Sequence, residues 1–259
     1  MLNSHEKNLL LTAIMFYTRI PVTKDLPYSA EMLNQSRKYF TFVGLVIGLI
    51  TSAVYLIAST VFPIFVAVIL SMIASVLATG AFHEDGFADT CDGLGGGWTA
   101  EQVINIMKDS RIGTYGTVGL AFILALKCMI LIELSNAGLW LWCLYTIAAH
   151  MVSRMHSSRL IKHYQYVQDI DKSKIKPIAN EPLSQKAGQF GILVALIPCA
   201  VMLVDSITMT IIALLITFVV SSQFMRYCSR RIGGYTGDIL GAIQQLTEVC
   251  FLLTCLAFI

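Results

Sequence analysis

Charge is what this chain has least of. Only 13% of its 259 residues are Asp, Glu, Lys or Arg, about half the share carried by a soluble globular domain. Hydrophobic residues make up 56%, so the deficit points to an integral membrane protein and away from a soluble enzyme. Basic residues are not in excess either. The net charge is +2, and no long basic stripe exists, which excludes a nucleic-acid partner. The seven cysteines (Cys91, Cys128, Cys143, Cys199, Cys228, Cys250 and Cys255) show no CxxC or zinc-like spacing. Most fall in apolar runs and read as small hydrophobes without disulfides. The opening M-L-N-S-H-E-K lacks the basic region, short apolar core and cleavage site of a signal peptide. No internal repeat is visible and charges near the middle of apolar runs are few, which favours an enzyme over a transporter.

What is present is a series of apolar runs. A bilayer crossing needs about 20 mostly apolar residues, and seven segments qualify: 39–59, 61–82, 117–135, 138–156, 187–204, 207–228 and 237–258. The expected fold is all-α and polytopic, with about seven transmembrane helices (six to eight) in one membrane-embedded catalytic domain over 1–259. The first two runs nearly touch and predict a tight helical hairpin. Residues Lys7 to Ile20 are apolar but short and end at Pro21, which predicts an interfacial or re-entrant helix. Lys and Arg alternate between connections. Lys7, Arg19, Lys24, Arg37 and Lys38 precede the first run, and Lys108 and Arg111 follow the second. Arg154, Arg159, Lys162, Lys172, Lys174, Lys176 and Lys186 flank the fourth connection, and Arg226, Arg230 and Arg231 the sixth. The intervening connections have none, so the positive-inside rule predicts a cytoplasmic N-terminus and cytoplasmic long loops. Lys127, alone within a run, should snorkel or pair. The spacing Gly44-x3-Gly48 suits close helix contact, so a homo-oligomer is an expectation.

The polar residues gather in three blocks. The first, F-H-E-D-G-F-A-D-T-C-D-G-L-G-G from Phe82, follows directly on the second run. If that helix continues, Asp85, Asp89 and Asp92 stand at i, i+4 and i+7, within about 60° of arc on one face. Three carboxylates on one stripe make a hard oxygen set suited to Mg²⁺, or Mn²⁺. Glu84 points about 100° away and is a weaker ligand. The glycines that follow, Gly95 and Gly96 among them, end the helix and let backbone approach a phosphate. His83 is placed to act as a general base or to hydrogen-bond a carboxylate. In the second block, I-M-K-D-S-R-I-G-T-Y-G from Ile106, Lys108, Ser110 and Arg111 supply phosphate donors. Asp109 either joins the metal set or holds Arg111. In the third, R-I-G-G-Y-T-G-D-I-L-G-A from Arg231, Thr236 or Asp238 begins a helix. Asp238, Gln245 and Glu248 then share one helix face, to function or to pair with Lys127 or Arg154. Arg154 and His156 close the fourth run, Arg154 as an anchor or a substrate contact.

These three blocks, with F-Y-T-R-I-P-V from Phe16, resemble the signature blocks of the cobalamin synthase family, in order and over essentially the whole chain. The Asp spacing is also similar to that of CDP-alcohol phosphotransferases, but no Arg follows Ala88, as their motif requires. Where relatives carry Tyr-Ala-Arg, this chain reads Tyr166-Val167-Gln168, and no contact is carried over there. The resemblance implies a multi-pass enzyme of the bacterial cytoplasmic (inner) membrane with its active site facing the cytoplasm. It implies transfer of α-ribazole, or α-ribazole 5′-phosphate, onto adenosylcobinamide-GDP. The nucleoside 3′-hydroxyl attacks the cobinamide-side phosphate and displaces GMP. A cation on Asp85, Asp89 and Asp92 would neutralise the pyrophosphate, Lys108 and Arg111 would hold phosphate oxygens, and Asp92 or His83 would take the proton. The rivals are a lipid-type CDP-alcohol phosphotransferase and a cation or metabolite transporter.

Overall fold

A computed structural model describes residues 4–22, 26–27, 29–167 and 183–259. Lys24, Gln168, Lys172, Lys174 and Lys176 lie outside the described residues. The described chain is helical, apart from one isolated parallel bridge between Tyr166 and Tyr235. α1 (Ser4–Tyr17) and α2 (Ala30–Ser36) precede α3 (Phe40–Ala58) and α4 (Ile64–Thr79). α5 (Phe82–Gly96) and α6 (Ala100–Met107) carry the acidic block toward α7 (Thr114–Leu134) and α8 (Leu139–Leu160). α9 (Gln185–Asp205), α10 (Ile207–Ile232) and α11 (Gly237–Leu256) complete the bundle.

Each of the seven apolar runs is a helix: α3, α4, α7, α8, α9, α10 and α11. By length and composition α3, α7, α9, α10 and α11 can cross a membrane, and α4 with α5 makes a sixth crossing if the bent pair counts as one. Only 28% of the apolar window is buried in α7, α9 and α10, against 72% in α11. The outer helices therefore turn apolar side chains such as Phe122, Met129, Leu193, Ile197 and Leu215 outward, as a lipid-facing surface requires. α8 is less apolar than these helices because it carries Arg and His. It keeps them by lying inside the bundle, with fifteen of its 22 residues buried.

α4 does not run on into the acidic block, as the uninterrupted helix pictured from sequence requires. Gly80 and Ala81 are both left-handed, at φ 68° and 58°, and α5 departs at 88° to α4. For Ala81 that conformation is strained. It is held from outside: the Arg19 N–H donates to the Ala78 carbonyl at 2.7 Å, and Phe82 packs edge-on against Phe16 and Tyr17. α1 itself stops at Tyr17, before Pro21 is reached.

Gly44 and Gly48 do not face outward. A Cβ at Gly44 would stand 2.5 Å from the His150 carbonyl oxygen, and one at Gly48 2.8 Å from Ile147 Cα. The small-residue face seats α3 on α8 within one chain, which removes the stated basis for expecting an oligomer. All seven cysteines are free.

Candidate functional site

The acidic stripe forms on α5 as its phasing requires, and the surroundings then give its members different tasks. Asp85 is exposed, Asp89 half-buried and Asp92 buried. α5 packs on the start of α11 at two glycines. A Cβ on Gly86 would stand 3.0 Å from Asp238 Cα, and one on Gly241 3.3 Å from the His83 carbonyl oxygen. Only hydrogen at these positions lets the helices approach, and the approach brings Asp238 to the Asp85–Asp89 face. Thr236 makes that turn possible, its Oγ accepting from the Ile239 N–H at 3.3 Å as the cap of α11. Four carboxylates then share one region. α5, with four acids in 15 residues, is the polar arm of the bent pair and not itself a crossing segment. Burial, then Asp238, Asp85 and Asp92, push the Asp89 carboxyl up to about 7.

Asp92 is committed to the second block. Its Oδ2 accepts from the Gly113 N–H at 2.7 Å and its Oδ1 from the Gly116 N–H at 2.8 Å. Gly113 is the cap residue of α7 and offers no side-chain cap of its own. A carboxylate from another helix therefore satisfies the exposed N–H groups and faces the positive end of the helix dipole. A Cβ at Gly113 or Gly116 would collide with it. The glycines after Asp92 serve packing as well: a Cβ on Gly93 would stand 2.6 Å from the Met107 side chain, and one on Gly95 2.6 Å from the Tyr115 ring. Gly96 is more open, its nearest such neighbour Ile106 at 3.4 Å.

Other expected residues lie apart from this face. Lys108 ends α6 and is exposed. Asp109 grips Arg111 through both carboxylate oxygens, at 2.6 to 3.2 Å, and Arg111 holds the Asp109 carboxyl down at about 2. Ser110 lies between them, exposed. Glu84 and His83 turn into the bundle. Glu84 accepts from Gln245 Nε2 at 3.0 Å, and His83, 2% exposed, stacks on Phe40.

Below them runs a buried polar assembly. Lys127 pairs with Glu248, and His150 Nδ1 lies 3.1 Å from the same carboxylate. Arg154 donates to the His150 carbonyl at 2.9 Å and is 1% exposed, so its guanidinium is turned into the bundle and not outward as an interfacial anchor would be. Gln244 bridges Ser153, at 3.1 Å, and Glu248. Of the two roles open for Glu248, the structure has the pairing role with Lys127. His150 and Gln244 were missed from sequence. Their spacing of four to Arg154 and Glu248 was the available signal. His156 bonds Thr217 at 3.1 Å, apart from the assembly.

Tyr166 was also missed. Gln165 and Val167 pair with Tyr235 at 2.9 and 3.1 Å, and burial and then Asp238 push the Tyr166 phenol up. The segment after α8 is thereby stitched to the third block beside the carboxylates. Among the described residues no three His, Cys, Asp or Glu side chains close into a ready metal cage.

Residues 9–256 match the family model described as cobalamin-5-phosphate synthase. A Shewanella frigidimarina protein named adenosylcobinamide-GDP ribazoletransferase is 43% identical, over 96% of this chain and 94% of its own length. Proteins of the same name are 42% identical in Vibrio cholerae, over 98% and 95%, and 44% in Shewanella pealeana, over 95% and 94%. No solved structure matches.

Proposed function

Because the chain belongs to the cobalamin-5-phosphate synthase family, we propose that it transfers α-ribazole, or its 5′-phosphate, onto adenosylcobinamide-GDP and releases GMP. It is a membrane transferase of cobalamin synthesis. The observation that carries the reading is the convergence of the three polar blocks. Gly86 seats Asp238 on the α5 acidic face, and Asp92 holds the start of α7 against it.

The donor set fits a divalent cation. Burial, and after it the neighbouring carboxylates of Asp238, Asp85 and Asp92, push Asp89 up to about 7, and a cation would relieve the part that comes from charge repulsion. Without a three-residue cage, the set suits Mg²⁺, which is held by one or two carboxylates and by substrate phosphates. Asp85, Asp89 and Asp238 are the carboxylates from which it would draw its one or two protein ligands, with Mn²⁺ as the alternative. When bound, the ion supplies charge neutralisation for the pyrophosphate and for the leaving GMP. Lys108 and, once released from Asp109, Arg111 face solvent and would engage non-bridging oxygens. One P–O bond forms to the acceptor hydroxyl and the pyrophosphate P–O bond breaks, leaving with GMP. Of the two expected bases, Asp92 has both oxygens engaged and His83 is buried, stacked on Phe40 and away from the exposed Asp85. Asp85 is the exposed carboxylate with access to the hydroxyl proton. We place the site on the cytoplasmic face of the bacterial inner membrane, from the basic connections. The lipid-type and transporter readings gain nothing from the comparisons.

The test is GMP release by Asp85→Asn and Asp89→Asn, each checked for normal folding. Turnover should fall by orders of magnitude in both. Near-normal release from either would sink the cation assignment.

A further inference from the structure

Away from the acidic face, a cavity of about 270 Å³ opens between the turn before α3, the end of α8 and the start of α9. Its lining has two characters. Arg37, Lys38, Arg159, Lys162 and His163 supply positive charge, and no carboxylate lines it among the described residues. Met155, Leu183 and Ile192 line the same space and are apolar. Basic residues that only mark a membrane edge fan out into water, whereas these converge. Arg37 is 3% exposed, its Nε donating to the Asn34 carbonyl at 3.1 Å. Arg159 donates to Ser221 and Ser222 at 2.9 and 2.8 Å, and Lys38 pairs with Glu6. These contacts fix the field of the cavity, while Lys162 is exposed and can close on a ligand.

The start of α9 keeps the space open and sets its depth. The helix, 21 residues long, directs the positive end of its dipole toward the cavity. Gly188 and Gly191 line it one turn apart, and a Cβ at Gly188 would meet nothing within 4 Å. α9 is an outer helix, with only 28% of its apolar window buried. From Gln185 to Ile192 it rises about 10 Å, and the polar headgroup layer on each side of a bilayer is about 5–8 Å thick. The basic residues at the start of α9 therefore stand in the headgroup layer and Ile192 at the edge of the hydrocarbon. Leu196 continues that face one turn further on, Ile192 being 40% and Leu196 36% exposed. A free anion would use only the basic half of this lining. A molecule that is anionic at one end and apolar at the other uses both.

We propose that this cavity binds an anionic phospholipid, its phosphodiester headgroup among Arg37, Arg159 and Lys162 and an acyl chain along Ile192 and Leu196. The lipid ties the start of α3, the end of α8 and the start of α9 together. Arg37 and Ser158 also line a narrow neighbouring cavity of about 50 Å³, whose far wall is His83, Gly237 and Gly241. The bound headgroup thus braces the bundle behind the α5–α11 contact. Lipid binding requires nothing of the reaction proposed above, so either can fail alone.

The test is native mass spectrometry of full-length protein released from mixed phosphatidylglycerol and phosphatidylcholine nanodiscs. Wild-type protein should retain phosphatidylglycerol over phosphatidylcholine by about tenfold or more. Lys162→Glu should lower that preference at least about fivefold, and so should Gly188→Asp, which puts a carboxylate into the open space. An acidic residue near a helix start is favourable and Asp improves on Gly within a helix. Gly188→Asp should therefore melt no lower than wild type in phosphatidylcholine, which separates loss of the lipid from misfolding. Arg230→Glu, exposed in the last turn of α10 and outside the cavity, should change the preference less than about twofold. An equal loss in Arg230→Glu would mean diffuse attraction to a charged surface and overturn the proposal. So would a wild-type protein without preference, or a preference that both cavity variants keep. Inorganic phosphate in phosphatidylcholine nanodiscs should raise the melting temperature of wild type and Lys162→Glu equally or not at all. A rise that Lys162→Glu abolishes would make the cavity a site for soluble anions, which also overturns the proposal.

Discussion

Replacing Asp92 with Asn separates a structural task from a chemical one. The carboxylate accepts two backbone N–H groups, from Gly113 at 2.7 Å and Gly116 at 2.8 Å. An amide keeps the volume and one acceptor, but its NH₂ must then face one of those two donors. The change removes a charge-assisted bond, worth about 1.5–3 kcal/mol, and strands a buried N–H. It also removes a charge at a helix N-terminus, worth about 0.3–2 kcal/mol. These effects overlap, so the expected loss is about 2–4 kcal/mol. Amide hydrogen exchange in detergent reads it locally: protection at Gly113 and Gly116 should fall by roughly 30- to 1,000-fold. The unfolding midpoint should fall as well. Asp92→Glu should not rescue, because the longer side chain meets the Gly113 and Gly116 backbone, where even a Cβ has no room beside the carboxylate. Unchanged protection and stability, with turnover lowered by orders of magnitude, would refute the capping role and make Asp92 the base.

Three further outcomes follow from the same geometry. Lys127→Met leaves Glu248 buried without its cation and should cost about 3–5 kcal/mol, most of it recovered by adding Glu248→Gln; a non-recovering double variant in denaturant unfolding contradicts the pairing. Gly86→Ala forces α5 from Asp238 and should cost about 1–3 kcal/mol, with GMP release falling more than the unfolding midpoint alone accounts for. Asp89 has a folded-state pKa raised from 3.8 to about 7, so the folded protein holds a proton that the unfolded chain releases in that window. Its stability contribution is present at low pH and is lost as pH rises toward about 7, the linkage sign for a raised acid. In metal-free protein, thermal melts should therefore shift downward between about pH 4 and 7, Mg²⁺ should reverse the shift, and Asp89→Asn should abolish both effects. Melts that do not depend on pH or on Mg²⁺ would show that no cation relieves this cluster.

The helices were legible because each apolar run is long enough to need one, whatever its partners. Side-chain roles that depend on a second element were not. The three Asp lie on one α5 stripe as their spacing dictates, yet Asp92 is claimed by the unsatisfied start of α7, which spacing within α5 cannot reveal. Glu84, phased about 100° from Asp85, does turn away, toward Gln245. The break at Ala81 was invisible because Arg19, Phe16 and Tyr17 hold it from outside the run. Gly44 and Gly48 carry a contact pattern that does not say which helix is met, and the helix met is α8. Arg154 read as the end of a run because the apolar pattern stops at His156, whereas α8 continues to Leu160 and its Arg154 is buried inside the bundle.

The central claim is that the α5–α11 carboxylate face carries out a cation-dependent transfer that releases GMP. The most direct test supplies purified full-length protein with adenosylcobinamide-GDP and α-ribazole, with and without Mg²⁺, and measures GMP against corrinoid product. The account predicts one GMP per corrinoid product with Mg²⁺ and neither without it. Folded protein that forms no GMP in the presence of Mg²⁺, or as much without it, would contradict the account.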